Sequence, residues 1–155
     1  MRKDTNAFPQ EPPCNATALR KASRRLTQLY DDALEGSGLR STQFAILVEL
    51  HRWADEPPTV AQLAAKLVMD RSALGHNLRP LERDRLLSLQ EGRADRRRRH
   101  VVLTAQGKAK VREGVRLWEG AQRRFNEVFG EARATRLRTT LFEIAFDERL
   151  GKLRG

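Results

Sequence analysis

A mainly α-helical fold with a small antiparallel β-wing is predicted from three observations. Apolar residues recur at spacings of three and four through most of the chain, the period of a helix with one buried face. That rhythm breaks once, near 86–103, where two short apolar runs flank a stretch rich in glycine and charge. Capping residues stand directly before several of the periodic segments. The 155 residues suit one domain, or one domain with oligomerising arms, and exclude a full (β/α)8 barrel of ~250 residues.

Residues 1–13 read as a loose, polar, proline-bearing arm. A first helix is expected over 14–35, with Leu19, Ala22, Leu26, Leu29 and Ala33 forming its seam, Asn15 or Thr17 as its cap, and Gly36-Ser37-Gly38 as its stop. Ser41 or Thr42 opens a second helix to about Ala54. Its Phe44, Ile46, Leu47, Val48, Leu50 and Trp53 leave little polar face, so it is expected at the centre of its domain. Glu56-Pro57-Pro58 then breaks the chain.

Thr59 and Gln62 have the spacing of a capping box, in which two orphaned amides are satisfied reciprocally, so a short helix is expected to start there. Val60, Leu63, Ala64 and Leu67 would face inward. Val68-Met69 turns the chain and Asp70 caps a helix over about 71–85, with Leu74, Leu78 and Leu81 buried. Pro80 removes a backbone donor from it and Gly75 weakens it by ~1 kcal/mol, so this helix is expected to be distorted at Pro80 but not ended there. Strands are expected over 86–90 and 99–103 around an exposed basic tip. Thr104 caps a long helix to about Phe129, in which Val111, Val115, Trp118, Gln122, Phe125 and Phe129 form a heptad seam. Gly130 ends it. A last helix over 132–150 repeats the spacing with Ala134, Leu137, Leu141 and Ile144, with Phe142 and Phe146 beside them.

The formal charge is +10, from 30 Lys+Arg against 20 Asp+Glu. Most of the cations are arginines, whose planar fork suits phosphate and guanine edges. A polyanion partner explains this surplus; so does a genome whose codons favour arginine. Distribution favours the partner, because Arg93, Arg96, Arg97, Arg98 and Arg99 crowd into the hairpin tip. A short capped helix, a turn and a second helix with a polar outer face form a helix-turn-helix pattern, whose second helix enters the major groove of DNA. The residues that would meet base edges are Arg71, Ser72, Ala73, His76 and Arg79. A basic hairpin directly after such a helix makes a wing, which can place an arginine in the adjacent minor groove. Arg93, Asp95, Arg96 and Arg97 are the wing candidates, with Asp95 orienting a neighbouring arginine through a bidentate pair.

From about residue 14 to 150 the chain resembles the MarR-type winged helix-turn-helix transcriptional regulators. The resemblance is carried by Gly38-Leu39 with Gln43-Phe44, by Leu63-Ala64, and by Met69-Asp70-Arg71-Ser72 through Asn77-Leu78-Arg79-Pro80-Leu81-Glu82. It continues in Asp95-Arg96-Arg97 and in Val102-Leu103-Thr104 with Gly107. The resemblance implies a homodimer that binds a palindromic double-stranded DNA operator, responds to small phenolic ligands or oxidants, and sends Arg97 into the minor groove while Asp95 supports an arginine. A related group has Cys-Asn-Cys at the start of its first helix, of which Cys14-Asn15-Ala16 keeps one thiol. Where that group often has Thr-Arg after the leucine of the second helix, this chain has Gly75-His76, which implies a different operator preference.

Cys14 near a helix start is a candidate oxidant sensor or an unreactive thiol. Tyr30, Phe44 and Trp53 either border a ligand pocket or simply fill the core. The heptad seams have little to pack against within one chain, so a homodimer is expected, with 14–40 and 104–155 as dimerisation helices around a DNA-binding unit at 41–103. No cofactor or metal site is expected, since His51, His76 and His100 are scattered and one cysteine cannot build a cluster. The lack of a phosphate-binding glycine loop and of a placed nucleophile set argues against an enzyme. No apolar run reaches the ~18 residues of a membrane span and residues 1–13 lack a signal-peptide core, so a cytoplasmic location is expected. The sequence reading is therefore a DNA-binding repressor released by a small aromatic ligand or an oxidant. A nonspecific nucleoid- or RNA-associated winged-helix protein stays open beside it.

Overall fold

The computed structural model of the protein describes residues 14–53, 56–92 and 98–151. Its elements follow the expected order: α1 (Asn15–Leu34), α2 (Ser41–Arg52), α3 (Val60–Lys66), α4 (Arg71–Arg83), β1 (Leu87–Glu91), β2 (Arg99–Leu103), α5 (Ala105–Phe129) and α6 (Glu131–Phe146). Short 3₁₀ turns lie at Glu35–Ser37 and Glu148–Leu150.

Local chemistry accounts for most boundaries. Thr59 accepts from the Gln62 amide at 3.2 Å while the Gln62 side chain accepts from the Thr59 amide at 2.8 Å, the reciprocal box that starts α3. Asp70 accepts from the Ala73 amide at 2.7 Å and starts α4. Thr104 accepts from the Gly107 amide and starts α5. Gly38 closes the turn after α1 with φ 72°, a left-handed conformation that glycine adopts without steric cost. α4 runs through Pro80 to Arg83, held by Leu74, Leu78 and Leu81, all within 2% of full burial.

Several boundaries differ from expectation, and β1 is shifted by one residue, to 87–91. Neither Asn15 nor Thr17 caps α1; the chain is already helical at Asn15 and the cap position falls on Cys14. The start of α2 is capped from a distance, with the Asp31 carboxylate accepting from the Ser41 amide at 2.7 Å and Gln43 accepting from the Arg40 amide at 3.0 Å. Ser41 opens the helix, as expected, as its first helical residue. The last helix stops at Phe146, because Asp147 takes an extended conformation and caps a separate 3₁₀ turn through the Arg149 amide.

β1 and β2 pair antiparallel, with Leu87 opposite Leu103 and Glu91 opposite Arg99. The segment between α2 and α3 joins the far side of β2: Val101 N–H donates to Pro58 O at 2.9 Å, and Thr59 bridges to His100. The core draws on α1, α2, α3, α4, both strands and α5, through Leu34, Ile46, Leu47, Leu63, Leu74, Leu87 and Val101 among others. Full burial of each large aliphatic side chain is worth about 1.5–3 kcal/mol. α5 reaches this core through small residues. A Cβ added at Gly114 would stand 2.5 Å from Phe44 Cε2, and one added at Gly107 would collide with the Leu86 carbonyl oxygen. The outward seam behaves differently: Phe129, Leu137, Phe142, Ile144 and Phe146 remain exposed on a single chain.

Candidate nucleic-acid interface

α4 presents two faces of opposite character. Leu74, Leu78 and Leu81 lock one side into the core, while Arg71, Ser72, His76 and Arg79 are exposed on the other. Ala73 is half-buried, and its carbonyl accepts from Asn77 Nδ2 at 2.9 Å. The Asp70 cap turns that carboxylate towards the helix amides, so the outer face carries the cations without a competing acid from the cap. The structure thus brings Arg71, Ser72, His76 and Arg79 together on one side of one helix. The strands that follow are closed by Gly92 N–H donating to Arg98 O at 2.8 Å. Arg93, Asp95, Arg96 and Arg97, expected at the tip, lie outside the described residues.

A cleft of about 670 Å³ opens where α1, α2 and the end of α3 approach α5 and α6. Its walls are mostly apolar. Tyr30, Phe44, Val115 and Trp118 line it, and Arg52 and Lys66 border it. Glu49 lines it too, although the residue is only 6% exposed. Its carboxylate accepts from Trp53 Nε1 at 3.1 Å and from Arg52 at 3.2 Å. Tyr30 Oη donates to Gln122 Oε1 at 2.6 Å, tying α1 to α5; burial raises the Tyr30 pKa, and the nearby Arg138 only partly offsets this.

Two sequence candidates fall elsewhere. Trp53 does not line the cleft; it borders a separate cavity of about 110 Å³ beside β2 and donates to Glu49, which does line the cleft. Cys14 is exposed at the start of α1 and is not among the residues that line the cleft. Its thiol lies below the ordinary thiol pKa, first because of hydrogen bonding to the Thr17 side chain and backbone, then through the Ala16 amide and Arg20. Glu49 was not picked out from sequence. The available signal was a lone carboxylate within an otherwise apolar helix, since a glutamate is almost never buried without a partner. Among the described residues no group of three or more His, Cys, Asp or Glu could hold a metal ion, and no helix is long and apolar enough to cross a membrane.

No family sequence model and no curated protein sequence matches the chain. Solved structures do. The transcriptional regulator MosR of M. tuberculosis, crystallised in complex with DNA, shares 33% identity at a TM-score of 0.79, over 90% of this chain and 99% of that one. A MarR-family transcriptional regulator from Rhodococcus sp. RHA1 superposes with a TM-score of 0.74 over 88% of this chain and 99% of that one, at 21% identity. The chain belongs to the MarR family of transcriptional regulators. A further MarR-like fold is that of CouR from Rhodococcus jostii RHA1, bound to p-coumaroyl-CoA, with 21% identity, a TM-score of 0.74, and coverage of 87% of this chain and 94% of that one. In this MarR-family chain, α3 and α4 are therefore the helix-turn-helix and β1–β2 the wing.

Proposed function

We propose that the protein is a homodimeric, sequence-specific DNA-binding repressor whose hold on a palindromic operator is released by a small aromatic ligand or an oxidant. The observation that carries the reading is the exposed row Arg71, Ser72, His76 and Arg79 on a helix whose opposite face is fixed in the core. Arginine offers bidentate bonds to guanine, serine donates or accepts, and the Ala73 methyl suits a thymine methyl. Arg97, with Arg93, Arg96 and Asp95 around it, extends the contact into the minor groove by its place in the wing sequence. MosR is described in complex with DNA, which supports the same kind of partner here.

The unit 41–103 carries the DNA contacts, and 14–40 with 104–155 hold two copies together. Two-fold symmetry then presents two copies of α4 to half-sites about one helical turn apart, ~34–36 Å. The exposed apolar residues of α6 support a second copy as their cover. A ligand in the cleft between α2 and α5–α6 regulates by binding one spacing of the two heads more tightly than the other. CouR is described as bound to p-coumaroyl-CoA, which supports an aromatic effector in this fold. Cys14, exposed and with a lowered pKa, is the residue through which an oxidant would act.

Selection of bound fragments from random duplex DNA, repeated with phenolic acids and with peroxide, tests the reading. A palindromic consensus whose recovery falls with one of those additives is expected. Equal affinity for selected and scrambled duplexes at every salt concentration would instead favour a nonspecific nucleoid- or RNA-associated protein.

A further inference from the structure

The first half of α1 carries a charge pattern that the helix itself does not account for. From Asn15 to Tyr30 it holds Arg20, Lys21, Arg24 and Arg25 and no acid; Asp31 is its first carboxylate. All four cations are exposed, and none makes a hydrogen bond or ion pair among the described residues. Arg20 with Arg24, and Lys21 with Arg25, stand four residues apart, a spacing at which like charges destabilise a helix. By the 3.6-residue period Arg20, Lys21 and Arg24 lie on the side of α1 opposite Leu19, Ala22 and Leu26, with Arg25 at their edge. The apolar side is engaged: Leu19, Ala22 and Leu26 line one cavity together with Leu137 and Leu141 of α6. α1 meets α2 at its other end, where Asp31 accepts from the Ser41 amide. At 1.5 Å per residue, Arg20 stands about 16 Å along the helix from that junction. The four cations thus form a patch on another element than the row on α4.

We propose that this face of α1 is a second nucleic-acid surface, which takes the phosphate backbone of a second DNA duplex while α4 holds the first. The proposal rests on α4 as the site of the first duplex. Charge density selects the partner. Residues 20–25 span about 7.5 Å of helix axis. A duplex presents one phosphate charge per about 1.7 Å of its own axis, and so roughly four over the same length. Three of the four cations are arginines, whose fork grips a phosphate through two bonds. A basic amphipathic helix also suits an anionic membrane surface, but only with its apolar side in the lipid. Here that side faces α6. Contacts to phosphate alone carry no sequence preference. One molecule therefore bridges two segments of duplex, the first chosen by its bases and the second by charge.

The test uses the full chain and two duplexes with different dyes, one selected for binding and one of scrambled sequence and equal length. Sedimentation at low salt, read at both dye wavelengths, reports whether the two travel together. The variant combines Arg20→Gln, Lys21→Gln, Arg24→Gln and Arg25→Gln, since glutamine has a helix propensity close to that of arginine and lysine. The parent is expected to carry both dyes in one boundary. The variant is expected to keep its affinity for the selected duplex within about threefold and to lose the second dye. Four phosphate contacts make the affinity for the second duplex fall about tenfold for each doubling of salt. Arg20→Gln with Arg24→Gln alone is expected to halve the slope of log affinity against log salt, and serves if the fourfold variant does not fold.

Retention of the second dye by the fourfold variant overturns the proposal, because another surface then does the bridging. A parent that holds the selected duplex and never carries the second dye overturns it as well. Displacement of the second duplex by single-stranded RNA at lower concentration than by duplex DNA assigns the face to RNA and overturns the DNA reading. Failure to hold the selected duplex at all is a failure of α4 as the reading helix. The face is then judged by the scrambled duplex alone, whose binding the four substitutions are expected to weaken at least tenfold; an unchanged affinity there overturns the proposal.

Discussion

A single arginine on this surface has a defined thermodynamic signature. Arg79 is exposed on the outer face of α4, and Arg97 stands in the wing sequence. Each cation that neutralises a phosphate adds roughly one unit to the salt dependence of binding, whereas one that reads a base costs about 1–3 kcal/mol at one sequence position. Arg97→Ala and Arg79→Ala are both expected to weaken binding to a selected duplex while sedimentation still reports an intact dimer. Unchanged affinity in both would contradict the proposed interface. Asp31 supplies a second test at this scale. Burial disfavours its charge, but the bonds from Ser41 and Arg40 outweigh that, so its pKa lies below the ordinary carboxylate value. A pKa lowered on folding contributes stability that is present above the unfolded value of about 3.9 and is lost as pH falls through the folded value. The urea midpoint of Asp31→Asn is therefore expected to lie below the parent's at neutral pH, and the gap to narrow as the pH drops below about 4. These residues differ in how readable they were. Asp70 and Thr59 announce themselves as caps because each stands directly before its helix and three residues from the amide it accepts from. Asp31 caps a helix ten residues away, and no local spacing reveals that.

At the level of elements, the long helix α5 has two working stripes and only one was evident from apolar spacing. Val111, Val115, Trp118, Gln122, Phe125 and Phe129 mark the seam that repeats by heptads. The stripe that enters the core of the same chain is Gly107, Val111, Gly114 and Ala121. Small residues carry no hydrophobic periodicity, so close approach of two backbones is invisible to it. Gly114→Ala places a methyl group against the Phe44 ring and is expected to destabilise the fold by about 1–3 kcal/mol, the usual cost of overpacking. Gly120→Ala, on the same helix with nothing within 4 Å of the added carbon, is expected to raise the thermal midpoint instead, by the ~1 kcal/mol helix preference of alanine. The contrast separates packing from propensity. Pro80 teaches a related lesson: three buried leucines on α4 outweigh one missing backbone donor, so the helix continues.

Across the molecule, the distribution of exposed apolar surface is the feature a lone chain does not explain. Phe142, Ile144 and Phe146 of α6 and Leu150 of the 3₁₀ turn after it are each about half exposed or more. Clustered surface of this kind marks an interface. If the proposed dimer forms through this surface, Ile144→Glu is expected to shift the sedimentation coefficient to that of a monomer and to reduce affinity for a selected duplex, since one copy of α4 would then meet only one half-site. A variant that stays dimeric would move the interface away from α6.

The order of helices, the position of the hairpin, the caps of α3, α4 and α5 and the polar face of α4 all follow from neighbours within one or two turns. Their causes are local hydrogen bonds and side-chain periodicity, which the order of residues states directly. The family resemblance was legible for the same reason, because its motifs sit on those elements. The apolar cleft, the burial of Glu49, the separation of Trp53 from Tyr30 and the docking of Pro58 on β2 depend on segments far apart in the chain. Such contacts arise when apolar faces find one another, and which faces meet is settled by packing of the whole, not by any stretch of residues read alone.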